Sequence, residues 1–276
     1  MRLIITILFF CCAVTSNSQL LSWSPDFIQE GSDPIIITMD GTKGNLGLKD
    51  YLPTDVYVHM GVITTASTNS SDWKYSKFTW ATTNAAAKAV SAGTNKWNYT
   101  ITGGLRTFFG MSDPNEKILK IAILFRNGSG SRVQRNADGS DMYIPVYEAG
   151  LNVRITDPLS EPKYKPTPEL ITKNVGDAIN VTAKASIASD LKVYLNGTQV
   201  GSTASGATSY TTTATITTAG QQLIVAEAKA GAETKYDTIK FFVYPAVITA
   251  ALPAGVRNGI NYDANNTSLT LVLFAS

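Results

Sequence analysis

Asp55-Val56-Tyr57-Val58-His59-Met60-Gly61-Val62-Ile63 is the stretch whose reading decides the fold. Val56, Val58, Met60 and Val62 alternate with Tyr57, His59, Gly61 and Ile63, the period of a strand with one face in a core. The strand runs into a Ser/Thr/Asn-rich loop carrying Asp72-Trp73-Lys74-Tyr75 and then Trp80, aromatic rings where a loop is ordinarily polar. Leu119, Ile121, Ile123 and Phe125 alternate with Lys120, Ala122, Leu124 and Arg126, which predicts a second half-buried strand. Residues 35–39 and 95–101 also read as strands, the latter with Trp97, Tyr99 and Ile101 on one face. Leu105 to Phe109 reads as a helical turn before Gly110, and the Ala-rich 83–92 as one or two turns capped by Thr83 or Asn84 and ended by Gly93. Short strands with turn signals between them describe a β-sandwich.

Composition shifts at 157–168, where four prolines and four charged residues predict a semi-rigid linker over 158–168. Strands follow at 178–185, 191–195, 210–217, 222–229 and 238–244, with Asn196-Gly197 as a hairpin turn whose central residues both need positive φ. This is a domain of immunoglobulin-like size. Beyond another Pro-bounded linker at 245–253, residues 255–262 and 268–274 start a third β-unit with too few strands to close a sheet. The expected class is all-β: tandem immunoglobulin-like β-sandwiches plus the start of a third β-unit. The expected divisions are a signal peptide at 1–18, a candidate carbohydrate-binding sandwich at 19–157, the linker, an immunoglobulin-like domain at 169–245 and a truncated unit at 246–276.

A hydrophobic content of 44% excludes a disordered polymer, and a charged fraction of only 16% suits a secreted β-rich protein. Net charge is +2 and no basic run is interleaved with aromatics, so no nucleic-acid partner is expected. Arg2, the apolar run from Leu3 to Val14 and Ser16-Asn17-Ser18 read as a secretory signal cut before Gln19. That run is too short for a membrane span, which needs about 20 apolar residues. The expected location is secreted, periplasmic or at the cell surface. Both cysteines, Cys11 and Cys12, lie inside the signal, so the mature chain has neither a disulfide nor a Cys-based metal site.

Chemistry is hard to find. His59 is the only histidine, and no Gly-x-Ser-x-Gly elbow accompanies it. It reads as a partly exposed residue on the outer side of its strand. A zinc site draws on several His or Cys, which the chain lacks. Asn136-Ala137-Asp138-Gly139-Ser140-Asp141 looks superficially like a calcium loop, but it lacks the closing glutamate and reads as a hairpin turn. No glycine-rich phosphate loop is present, and paired glycosidase carboxylates are not recognisable from spacing alone. No catalytic residue, metal or cofactor is therefore expected.

The aromatics are the positive signal. Tyr and Trp combine a flat apolar face with a polar edge, which suits a sugar ring whose hydroxyls meet Asp, Asn or Lys. Trp73, Tyr75 and Trp80, with Asp72 and Lys74, are the candidate carbohydrate site. Trp97 reads as a core residue. For Trp73 a surface platform and a core filler stand equally open.

Residues 55–64, Asp72-Trp73-Lys74-Tyr75, Lys120 to Asn127, Gly139-Ser140-Asp141 and Ile144-Pro145-Val146 resemble the first module of secreted α-amylase family enzymes of Bacteroidota. Residues 252–262 and 269–275 resemble the start of that family's third module, an isoamylase-type β-sandwich ahead of a catalytic (β/α)8 barrel. The resemblance implies a non-catalytic front portion of a starch hydrolase that binds or presents α-glucan. The barrel is missing and its motifs need several histidines, so no catalytic residue carries over. The competing expectation is a structural β-sandwich spacer with no ligand.

Overall fold

The computed structural model describes residues 19–168, 171–204 and 206–245, together with the backbone of 259–262 and 269–272. The expected signal at 1–18 and most of the expected third unit lie outside the described residues. Of that unit, the antiparallel pairing of Gly259–Tyr262 with Leu269–Val272 is described.

The first module packs two sheets face to face. One holds β1 (Leu21–Ser24), β2 (Ile35–Asp40), β4 (Val90–Gly93) and β5 (Lys96–Ile101) in the order β1-β2-β5-β4. The other centres on β3 (Val56–Thr64) and β6 (Ile118–Asn127), with β7 (Val133–Gln134) and β8 (Met142–Pro145) also paired to β6. Ile35, Ile37, Met39, Trp97, Tyr99 and Ile101 from the first sheet meet Val56, Val58, Met60, Val62, Ile121, Ile123 and Phe125 from the second in one core. Trp97 is a core residue, its indole N–H donating to the Pro53 carbonyl at 3.0 Å. The short helix α1 (Leu105–Phe109) ends at Gly110 in the left-handed region, whose N–H reaches the Arg106 and Thr107 carbonyls.

Two local expectations need correction. The Ala-rich stretch makes only a 3-10 turn at Ala85–Ala87, capped by the Asn84 side chain, and then becomes strand β4 beside β5. β3 and β6 are also buried on both sides rather than one: Tyr57, Ile63, Ala122, Leu124 and Arg126 are all buried.

The second module begins earlier than expected. Leu151, Val153 and Ile155 lie in its core, because β9 (Val153–Asp157) pairs with the strand that organises this module. The stretch 158–168, expected as a semi-rigid linker, is a strap bound to the first module. Its short strands β10 (Ser160–Glu161) and β11 (Thr167–Pro168) pair with each other. The Pro162 carbonyl accepts the Tyr143 N–H of β8 at 2.6 Å, and Lys163 bridges Asp138 at 2.9 Å and Glu161 at 2.5 Å.

That organising strand is β12 (Ala178–Leu195), which serves both sheets of the sandwich. Its first half pairs with β9 and, beyond β13 (Thr198–Ser202), with β14 (Ala207–Thr215). Its second half pairs with β13 and with β15 (Gly220–Ala230), which pairs in turn with β16 (Glu233–Val243). The register shifts between Lys184 and Ser189, where the strand passes from one sheet to the other. Asn196 and Gly197, at φ 51° and 82°, form the expected two-residue turn into β13.

Candidate functional site

The outer face of the β3–β6 sheet is where the loop aromatics gather. Residues 72–77 fold back along β3 as an added edge: Lys74 and Val62 exchange backbone hydrogen bonds of 2.8 and 3.0 Å, and the Lys77 N–H reaches the Met60 carbonyl. This fold-back needs Gly61. A Cβ there would lie 3.0 Å from the Lys74 carbonyl and 3.2 Å from the Trp73 Cβ.

Trp73 lies partly buried over that glycine. Its indole N–H donates to the Ser70 carbonyl at 3.1 Å and the Tyr143 hydroxyl at 3.2 Å. Its ring stacks on His59 with centroids 5.8 Å apart and planes at 24°. Trp80 also meets His59, edge to face at 5.1 Å, and remains 39% exposed. Beyond Trp73 the contacts continue to Tyr143 at 6.2 Å and from there to Tyr164 of the strap at 5.5 Å. An aromatic ribbon thus crosses the sheet from Trp80 to the strap, and it is the layer that buries β3 and β6 from outside.

Arg126 lies fully buried under the Trp80 end. Its guanidinium donates to the carbonyls of Asn127, Gly128 and Thr82 at 2.9, 3.1 and 2.7 Å. It also sits 5.7 Å from the Tyr57 ring centroid and 5.5 Å from that of Trp80, within cation–π range. Burial lowers its pKa from the ordinary arginine value, yet a guanidinium keeps its proton at neutral pH. Gly130, at φ 73°, lets the 127–132 turn pass beneath Trp80, since a Cβ there would come within 2.7 Å of the indole nitrogen.

His59, Trp73, Trp80 and Leu124 floor a shallow depression of about 440 Å³, with Ser71, Ser76, Arg135 and Asp141 around it. Arg135 and Asp141 form an ion pair across the 136–140 turn. Burial is the main cause that lowers the His59 pKa, aided by the Arg126 charge and opposed by the hydrogen bond to the Phe78 backbone and by Asp141. The imidazole is therefore neutral at pH 7, and its buried Nδ1 has no partner among the described residues.

The predicted site residues divide. Trp73 and Trp80 come together. Tyr75 does not join them: its hydroxyl donates to Glu116 at 2.5 Å, and no ring contact links it to Trp73 among the described residues. That hydrogen bond raises the tyrosine pKa, while the Thr64 and Tyr75 hydroxyls hold Glu116 below the usual carboxylate value. Asp72 and Lys74 bond to each other at 2.8 Å, and Asp72 also ties the loop to Thr68. Lys74 and, second, Thr68 lower the Asp72 pKa. Neither residue lines the depression.

His59, Arg126, Arg135 and Asp141 were not predicted as site residues. A signal existed for His59, since the alternation of β3 puts it on the outer side. The resemblance to a calcium loop ends as a turn: the Ser140 N–H and hydroxyl both donate to Asp138, and Lys163 supplies the cation. Among the described residues no three His, Cys, Asp or Glu side chains are grouped to hold a metal. No described helix is long and apolar enough to cross a membrane.

No family model matches the chain, and no curated protein matches it. Among solved structures it is similar to fibronectin(III)-like modules of Clostridium thermocellum CbhA, at 21% identity over 35% of this chain and 100% of that one, with a TM-score of 0.26. It is similar to the titin domains Z1Z2 in complex with telethonin, at 12% identity over 83% and 99%, TM-score 0.24. It is also similar to a polysaccharide lyase, at 9% identity over 79% of this chain and 31% of that one, TM-score 0.27. The all-β sandwich class agrees with the sheets described above. Likenesses this distant say nothing about what the chain binds.

Proposed function

We propose that the chain is a non-catalytic accessory portion of a secreted protein, whose first module holds a saccharide in the depression between Trp73 and Trp80. The observation that carries this reading is the half-open Trp80 ring beside His59, with hydroxyls and an Arg–Asp pair at the rim. An apolar ring face next to donors and acceptors matches a pyranose, which presents C–H groups on its face and hydroxyls at its edge. The choice of α-glucan rests on the resemblance of the first module's motifs to those of α-amylase family enzymes. The test is adsorption of the purified chain to insoluble starch, with cellulose as the control polymer, alongside a reducing-sugar assay. Retention that Trp80→Ala removes supports the reading. Equal recovery of both proteins in the unbound fraction rejects it, and release of reducing sugar by a clean preparation rejects the non-catalytic part.

One observation favours the second reading, a ligand-free spacer. Asp26 ties the modules together: its carbonyl accepts from Trp23 and from Arg154 at 3.1 Å, and its carboxylate accepts from Lys184 at 2.7 Å. Arg154 also lies 4.6 Å above the Trp23 ring. Such a junction suits a part that holds its neighbours at a set angle.

A further inference from the structure

His59 packs against both tryptophans that floor the depression, and its Nδ1 has nothing to bond. That Nδ1 is buried and has no hydrogen-bond partner among the described residues, and the Phe78 backbone is the nearby group that favours a proton on the ring. Every charged group facing it is already committed or of the wrong sign. From β6 comes Arg126, a cation. From the 135–141 hairpin comes Asp141, whose carboxylate is taken by Arg135. The nearby Tyr143 hydroxyl donates to the Ser70 carbonyl at 2.6 Å.

We propose that His59 is an acid-sensitive keystone of the depression: neutral, it holds Trp73 and Trp80 in place, and a proton on Nδ1 parts the rings and dismantles the binding surface. The new N–H would point into a wall with no acceptor, and a buried donor without a partner bears its full desolvation penalty. The stacked Trp73 face offers an imidazolium some cation–π attraction, but Arg126 opposes the added charge and burial disfavours it. Relief comes by moving the ring to water, and Trp80 is the half-exposed side that can yield. The ligand part of this inference rests on the saccharide reading above. The opening itself does not.

The sign follows from linkage. A histidine whose folded pKa is lowered takes its proton more readily once the site opens, so the closed form is favoured above the ordinary value of 6.5. That preference is lost as pH falls below 6.5 toward the folded pKa. Because the chain has a single histidine, one imidazole resonance in an untagged protein reports the titration without assignment work.

The experiment follows that resonance, tryptophan fluorescence and starch retention from pH 8 to pH 4.5 in the intact chain and in His59→Gln. The expected result is a midpoint below 6.5 and a fluorescence change with the same midpoint. Retention should fall by up to about tenfold per pH unit below it, the limit for one linked proton. The His59→Gln profile should be flat, and His59→Asn replaces it if the glutamine variant does not fold. A midpoint at or above 6.5, fluorescence that does not track the resonance, or the same acid change in the variant overturns the proposal. Absence of starch retention at every pH overturns the saccharide reading alone, and the resonance and fluorescence then decide the keystone by themselves.

Discussion

β3 in the first module and β12 in the second both alternate along the chain, and their outer sides differ. In β3 the residues facing away from the core are covered: Tyr57 by Arg126, His59 by Trp73 and Trp80, and Gly61 by Trp73. In β12 the outward positions meet polar and charged groups instead, as in the hydroxyl contact of Thr182 with Thr211 at 2.9 Å, that of Thr213 with Asn180 at 2.8 Å and the ion pair of Lys192 with Glu227 at 2.9 Å. One sheet therefore carries a second, aromatic layer, and the other is an ordinary sandwich wall. A ring layer on an outer face needs a reason, and the depression it floors is the one we offer.

The largest break in this comparison should come from Trp73→Ala. The ring fills the space over Gly61 and its N–H satisfies two acceptors. Its loss should destabilise the first module by about 3–5 kcal/mol, the usual range for a large aromatic removed from a packed site. Denaturant unfolding followed by tryptophan fluorescence would read this. A change under about 1 kcal/mol would mean that Trp73 is a platform after all and not part of the covering layer.

Arg126→Met comes next. It keeps a flexible apolar stem but strips the donors from the Asn127, Gly128 and Thr82 carbonyls. Buried acceptors left without partners cost roughly 1–3 kcal/mol, so the midpoint of the first module should fall and that of the second should hold.

How much of this was readable beforehand follows from the same contrast. The core sides of β3 and β6 and the Asn196-Gly197 turn are local patterns, and the structure has them where alternation and φ preference place them. The outer layer is not local. Arg126 stands in an alternating strand where a charge ordinarily marks the solvent side, and only the return of 72–84 over the sheet buries it. Tyr75 stands beside Trp73 in sequence, yet it is held by Glu116, far along the chain. Its prolines and charges make the strap look like a linker in sequence. A proline still offers its carbonyl, and Pro162 uses it on β8.

The strap gives a smaller effect. Lys163→Ala removes two ion pairs whose groups are partly exposed, and water screens such pairs so that they add little to stability. Global stability should barely move, while limited proteolysis within 160–168 should speed up. An unchanged cleavage rate would show that the Tyr143–Pro162 hydrogen bond and the ring contact of Tyr164 hold the strap without the lysine.

The smallest expected effect is the one that guards the comparison. Thr211→Val in β14 removes a hydroxyl that touches Thr182 on an exposed surface, while keeping the branched shape that suits a strand. Water replaces the lost partner on both sides, so the change should stay within about 0.5 kcal/mol, as for surface substitutions away from packed features. The measurement is the unfolding midpoint of the second module, taken beside Trp73→Ala under the same conditions. A cost of 1.5 kcal/mol or more would mean that the hydroxyl is not facing water in the intact chain. The outer wall of the second module would then be covered too, and the contrast that singles out the first module's ring layer would lose its force.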